Sequence, residues 1–205
     1  MIIGLLVAGL AKGQELINNA KLKSFISDFR NVQVYLYGYQ DKYRALPGDQ
    51  PQAMLDSQFG AGEASAASDA SMLGNGVIDG AWNAGPGAES NVFWQHVRLA
   101  RLAPGMVSGT TNFIPHNAEG GLVGIQSGGV PPIANLSGTF AICSSQISGR
   151  FAKQIDLTLD DGVPDAGSVM VTATGGTGDF TTSQAPVATA AEIDDAAPYT
   201  VCQGL

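Results

Sequence analysis

The sequence predicts an α+β fold: one long N-terminal α-helix, apolar and then amphipathic, packed on a small antiparallel sheet head with long loops. Three observations carry this. No proline falls between Met1 and Leu46, and the only glycines there are Gly4, Gly9, Gly13 and Gly38, so nothing in that stretch forces a break. All ten prolines and most of the 27 glycines lie beyond it, a composition of turns, loops and short strands rather than of a helical bundle. Hydrophobic residues make up 44% of the chain, enough for a real core. At 205 residues the chain holds one ordinary domain and an extension. It divides into a helix over residues 1–46 and a head over 47–205.

The helix changes character along its length. Residues 1–11 (MIIGLLVAGLA) are apolar, about half of the roughly twenty residues that a bilayer span needs. Residues 12–46 are amphipathic. Leu22, Phe25, Ile26, Phe29, Val32, Leu36 and Tyr39, with Val34 among them, recur mostly at spacings of three and four. They form one stripe, with Lys23, Asp28, Arg30 and Gln33 on other sides. About 45 residues at 1.5 Å each make a rod of roughly 65–70 Å. A single head cannot cover that length, so lipid or other copies must bury part of it.

Three readings compete for the apolar start: a secretory signal peptide cut near Ala-Gly-Leu-Ala, the apolar end of a soluble helix, or the inner half of a membrane helix whose first residues precede Met1. No basic residue precedes Ile2, which weakens the first. The amphipathic pattern keeps its phase past Lys12, which favours the third.

Pro47 disfavours helical geometry at Leu46, and Pro47-Gly48-Asp49 favours a turn. Residues 57–91 then read as a long loop of small residues. Residues 91–102 (NVFWQHVRLARL) have helical periodicity, with Phe93, Trp94, Val97, Leu99 and Leu102 as candidate core residues. Strands are expected at 121–126, 138–143 and 168–174. Phe151, Ile155, Leu157 and Leu159 suggest a short helix or an extended segment. The Thr-, Ala- and Gly-rich stretch 175–195 reads as a poorly ordered surface excursion.

The formal net charge of -8 is unevenly placed. Lys12, Lys21, Lys23, Arg30, Lys42 and Arg44 face only Glu15, Asp28 and Asp41 in the helix, whereas the head has four Lys/Arg against fifteen Asp/Glu. An acidic head repels phosphate, which argues against nucleic acid as a primary partner. The two cysteines, Cys143 and Cys202, beside a membrane-type N-terminus are expected to form an extracytoplasmic disulfide. It would close a loop of about 60 residues, worth on the order of 4 kcal/mol. For catalysis the chain offers little: His96 sits among apolar residues of a core helix, His116 is twenty residues away, and no nucleophile elbow, P-loop or zinc motif occurs. No enzyme activity is expected.

The run Ile2-Ile3-Gly4-Leu5-Leu6 leading into an amphipathic helix resembles the N-terminal helix of type IV pilin-like proteins. These include pilus subunits and the pseudopilins of type II secretion systems. Asp41-Lys42-Tyr43-Arg44-Ala45-Leu46-Pro47-Gly48-Asp49 resembles the junction of a bacterial branch of prepilin-type proteins. Gly74-Asn75-Gly76-Val77-Ile78, Phe93-Trp94-Gln95-His96 and the run Asp160-Asp161-Gly162-Val163-Pro164-Asp165-Ala166-Gly167 look like the same branch, in the same order. The family's peptidase and methylation site, a Gly before Phe with a Glu a few residues on, is missing from this sequence.

The resemblance implies a structural subunit of a filament, either a type IV pilus or a type II secretion pseudopilus. Ile2, Ile3, Leu5, Leu6, Val7 and Leu10 would pack in the membrane before assembly and in the filament core afterwards. Leu22, Phe25, Ile26, Phe29, Val32 and Leu36 would pack the helix on the head. The implied partners are further copies, related minor pilins or pseudopilins, and an inner-membrane assembly platform. The implied location is the inner membrane with the head in the periplasm, then a periplasmic or extracellular filament. The alternative is a monomeric, membrane-tethered periplasmic binding or adhesin domain with the helix as stalk.

Some pseudopilins bind calcium in the head, which draws attention to two clusters of hard oxygen donors. One is Asp69, Asn75 and Asp79; the other is Asp160, Asp161 and Asp165. Neither has EF-hand spacing, and carboxylates capping turn N–H groups are the favoured explanation for either cluster.

Overall fold

The computed structural model describes residues 2–110, 112–127, 129–175, 178 and 180–205, with side chains from residue 12 onwards. Helix α1 (Ile2–Tyr43) runs 42 residues, about 63 Å at the α-helical rise. It ends where Arg44 turns into the left-handed region at φ 56° and donates its N–H to the Gln40 carbonyl at 2.8 Å. Helices α2 (Gln52–Phe59) and α3 (Glu89–Leu99) follow, then strands β1 (Val123–Ser127) and β2 (Phe140–Ser148). Helix α4 (Gly149–Leu159) continues directly from β2, and β3 (Val169–Thr172), a 3-10 turn at Ala190–Glu192 and β4 (Pro198–Gly204) complete the chain.

The four strands form one antiparallel sheet in the order β1-β2-β4-β3. Strand alternation gives it two faces. Val123, Ile125, Ile142, Val201, Val169 and Val171 share one face and meet α1, α3 and α4 in the main core. Ala141, Cys143, Cys202 and Met170 share the other, where Trp82, Ile133, Leu136 and Phe180 from the loops cover them. The sheet is therefore buried on both faces. A bulge between Ser144 and Ile147 of β2 puts Gln146 at φ 55° and returns Ile147 to the core face.

Cys143 and Cys202 stand opposite each other across β2 and β4 and are joined as a disulfide, with Cα atoms 4.1 Å apart. The expected bridge is present, and it staples the C-terminal strand to the middle of the sheet.

The expected strands lie close to those observed, but three elements differ. Helix α2 falls partly in the presumed loop, because Leu55 is its single buried residue and leaves no periodic trace. β2 runs to Ser148, beyond the expected residue 143, because Ser144 and Ser145 are buried polar residues. β4 was not anticipated at all. The expected surface excursion is anchored: Phe180 packs edge-on to Trp82, with ring centroids 5.0 Å apart, and Val187 donates its N–H to Val171 at 2.8 Å.

Candidate functional site: the N-terminal helix and its junction

Helix α1 has two unlike parts. Phe25, Phe29, Val32, Leu36 and Tyr39 are all at most 1% exposed, at the four-three-four-three spacing that places them on one face. Leu22 packs beside them and Ile26 is half-buried, so the six predicted helix–head residues lie on or beside that face. Val34 sits off the stripe and is exposed. Polar contacts reinforce the seam: Gln33 Nε2 donates to Gln203 Oε1 at 3.1 Å, and Lys42 Nζ to the Ala100 carbonyl at 3.3 Å.

Among the described residues the last ion pair between helix and head is at Lys21, beyond which Gln14, Ile17 and Asn18 line an open groove with Arg150 of α4. The Lys21 ammonium meets Glu119 at 3.2 Å, and the other Glu119 oxygen accepts the Ser148 N–H and hydroxyl at 2.8 and 2.9 Å. Before Lys21, residues 12–20 are exposed except for the half-exposed Gly13 and Asn18. Leu16 and Ile17 stand 61% and 59% exposed, side by side. The backbone of Ile2, Ile3, Leu5, Leu6, Val7 and Leu10 continues the helix, but the surroundings of these side chains lie outside the described residues. No helix among the described residues is long and apolar enough to cross a membrane.

Where α1 ends, three of the motifs singled out in the sequence converge. Tyr39 donates its hydroxyl proton to Gln50 Oε1, and its ring stacks on that of His96 at 6.4 Å. The Gly48 N–H donates to His96 Nδ1 at 2.9 Å, so Nε2 carries the proton and donates to the Ser65 carbonyl at 2.9 Å. His96 is fully buried, and that burial pulls its pKa down to about 4. Both ring nitrogens are committed to backbone partners, which leaves none for acid–base chemistry. Asp49, also buried, takes the backbone N–H of Gly74, that of Asn75 at 3.2 Å and that of Gly76 at 2.8 Å on its two oxygens. Gly48 holds φ 98°, and a Cβ there would lie 2.5 Å from the Glu89 carbonyl oxygen, so only glycine fits this turn.

Glu89, at the start of α3, is a residue the sequence reading missed. It is 2% exposed; Oε2 accepts the Asp79 N–H at 2.7 Å, while Oε1 has no partner among the described residues. Burial, with the nearby Asp49, Asp79 and Asp69, pushes its pKa up to about 7.

The two donor clusters fare differently. At the first, Asp69 caps Ser71 through its N–H at 3.0 Å and its hydroxyl at 2.6 Å. Asn75 donates to Asp79 at 2.7 Å and accepts the Val77 N–H at 2.7 Å. These are local turn bonds, and no metal-sized grouping forms there among the described residues. At the second, Asp160 and Asp161 join Asp156, four residues before Asp160 on α4, and Asp165 is not part of the group. Asp156 was missed because its side chain occupies a core position of an amphipathic helix. Burial, then the charges of Asp161 and Asp160, raise its pKa to about 6.

The chain matches no protein-family model, no curated protein and no solved structure.

Proposed function

We propose that this chain is a structural subunit of a type IV pilus-like filament, built by packing of N-terminal helices, as a pilus or as a secretion pseudopilus. One observation carries the reading: α1 continues beyond its Lys21 ion pair to the head, with Leu16 and Ile17 largely exposed and the apolar run of residues 2–10 still ahead of them. Scattered exposed apolar residues need no explanation. A largely exposed helix segment that leads into a wholly apolar run does.

The long helix on a small antiparallel sheet with a disulfide is compatible with the pilin-like architecture implied by the resemblance. The convergence of the Pro47-Gly48-Asp49, Gly74-Asn75-Gly76 and Phe93-Trp94-Gln95-His96 motifs at one junction gives those residues a shared structural task, anchoring the head on the helix. In this reading the apolar segment rests in the inner membrane and then exchanges lipid for neighbouring helices. That exchange changes little in apolar solvation, so packing between helices decides it.

The test replaces Leu6 or Leu10 with Glu in cells that assemble the filament. The expected result is loss of filaments with an unchanged melting midpoint of the head. Filaments that persist in both variants contradict the proposal. Cells without filaments, with monomeric wild-type protein, favour the tethered domain.

A further inference from the structure

A cleft between α1, α3 and β1 holds two opposite charges that do not meet. It encloses about 120 Å³, with Val32, Trp94 and Val123 among the residues that line it, all three of them buried. Asp28 of α1 and Arg98 of α3 line the same cleft, yet no ion pair joins them. Each is anchored on its own element. Arg98 Nε donates to the Pro104 carbonyl at 3.1 Å and Nη1 to that of Met106 at 3.3 Å, and the guanidinium lies over the Trp94 ring, 5.9 Å from its centroid. Those two bonds leave the rest of the guanidinium fork without a partner among the described residues.

Asp28 is half-buried, and burial alone raises its carboxyl to about 6, with no hydrogen bond and no cation to offset it. Tyr35 lies in the field of both charges: burial and then Asp28 raise its pKa, and Arg98 opposes them. Its ring stands edge-on to Trp94, with centroids 6.5 Å apart. Opposite charges attract strongly where water is partly excluded, and a half-desolvated carboxylate without a partner is costly. Here the fold holds the two apart over an apolar and aromatic floor. Such a cleft, mostly apolar with a few convergent polar groups, has the character of a small-molecule site.

We propose that this cleft binds a small zwitterion, an ammonium and a carboxylate on a short aliphatic frame, with the ammonium on Asp28 and the carboxylate on Arg98. Both ends then make charge-assisted hydrogen bonds, and the aliphatic frame rests on Val32, Val123 and the Trp94 ring. The volume is that of about four waters, which selects ligands of the size of an amino acid and excludes peptides and nucleotides. A lone cation meets the Arg98 charge unopposed, and a lone anion meets that of Asp28. The site stands independently of filament assembly.

Nuclear magnetic resonance titration of the full chain in detergent, with L-valine and with 4-aminobutanoate, tests this. The two probes differ in the spacing of their charges. At least one is expected to bind saturably with a Kd of about 1 mM or tighter. It should shift the indole N–H signal of Trp94 and leave that of Trp82, which packs on the opposite face of the sheet. The amide of the binding compound lacks its anion and the N-acetyl derivative lacks its cation; each should bind at least ten-fold more weakly. Asp28→Asn should weaken the parent compound at least ten-fold while melting near the wild-type midpoint, which separates a lost contact from a damaged fold. If that variant does not fold, the two derivatives decide the matter on the unmodified chain. No saturable shift with either probe up to about 50 mM overturns the proposal, since water alone then fills the cleft. Undiminished binding by folded Asp28→Asn overturns it as well. An amide or an N-acetyl derivative that binds as tightly as its parent overturns the assignment to a zwitterion.

Discussion

Residues 12–20 and residues 22–39 belong to one unbroken helix, yet the head covers only the second stretch. In the covered part, Phe25, Phe29, Val32, Leu36 and Tyr39 are as buried as any residue of the sheet, and they complete the core that the strands begin. In the other part, Leu16 and Ile17 are largely exposed and are expected to contribute little to the stability of the head. The same helical backbone thus lies in two environments. One segment is a structural element of the head; the other leaves Leu16 and Ile17 largely exposed.

The division sharpens if the helix is cut at different points. A chain starting at residue 21 retains the whole stripe and is expected to melt within about 1 kcal/mol of one starting at residue 12, because the intervening helix is largely exposed. A chain starting at residue 47 loses all five stripe residues and is expected to show no cooperative transition by circular dichroism. Equal behaviour of the two would break the comparison.

Single substitutions grade the effect. Phe29→Ala should destabilise by about 3–5 kcal/mol, the range for emptying a buried aromatic site, whereas Leu16→Ala should stay within about 0.5 kcal/mol. Denaturant titration of both distinguishes them. Cys202→Ser should cost about 2–4 kcal/mol, less than removal of the covered helix, because the bridge lies on the sheet face turned away from α1. If both thiols react with an alkylating reagent in the untreated native protein, the bridge has been misjudged.

A further effect is a dependence on pH at the junction. The Glu89 carboxyl is raised from 4.5 to about 7 in the folded protein, so the native state holds its proton more tightly than the unfolded chain. The stability it contributes is present below about pH 4.5 and is lost as pH rises towards 7. His96 works in the opposite sense: with its pKa lowered from 6.5 to about 4, its contribution is present above about pH 6.5 and is lost as pH falls towards 4. Glu89→Gln keeps the Asp79 hydrogen bond and removes only the first effect. Its stability relative to wild type should therefore increase steadily between pH 4.5 and 7. A difference that does not vary with pH would show that Glu89 titrates normally.

Much of this was legible in the sequence because periodicity and punctuation are local signals. The spacing of Phe25, Phe29, Val32 and Leu36 marks the buried face directly, and Pro47 marks the helix end. The cysteine pair was legible too, since two thiols leave a single pairing. What escaped depends on distant neighbours. Leu55 alone cannot announce α2. β4 becomes a strand by pairing with both β2 and β3. Nothing local singles out Glu89 or Asp156, because only the folded chain buries them and brings Asp49 and Asp79 to the one and Asp160 and Asp161 to the other. His96 was rightly placed in the core, but its task, holding Gly48 and Ser65 together, needed coordinates.

The most direct test of the division within α1 is photo-crosslinking in intact cells from a reactive residue placed at position 17, with a second placed at the exposed Val34 as reference. The account predicts a ladder of covalent oligomers from position 17 and few or none from position 34. Monomer alone from position 17, in cells where the protein is present and folded, would contradict it.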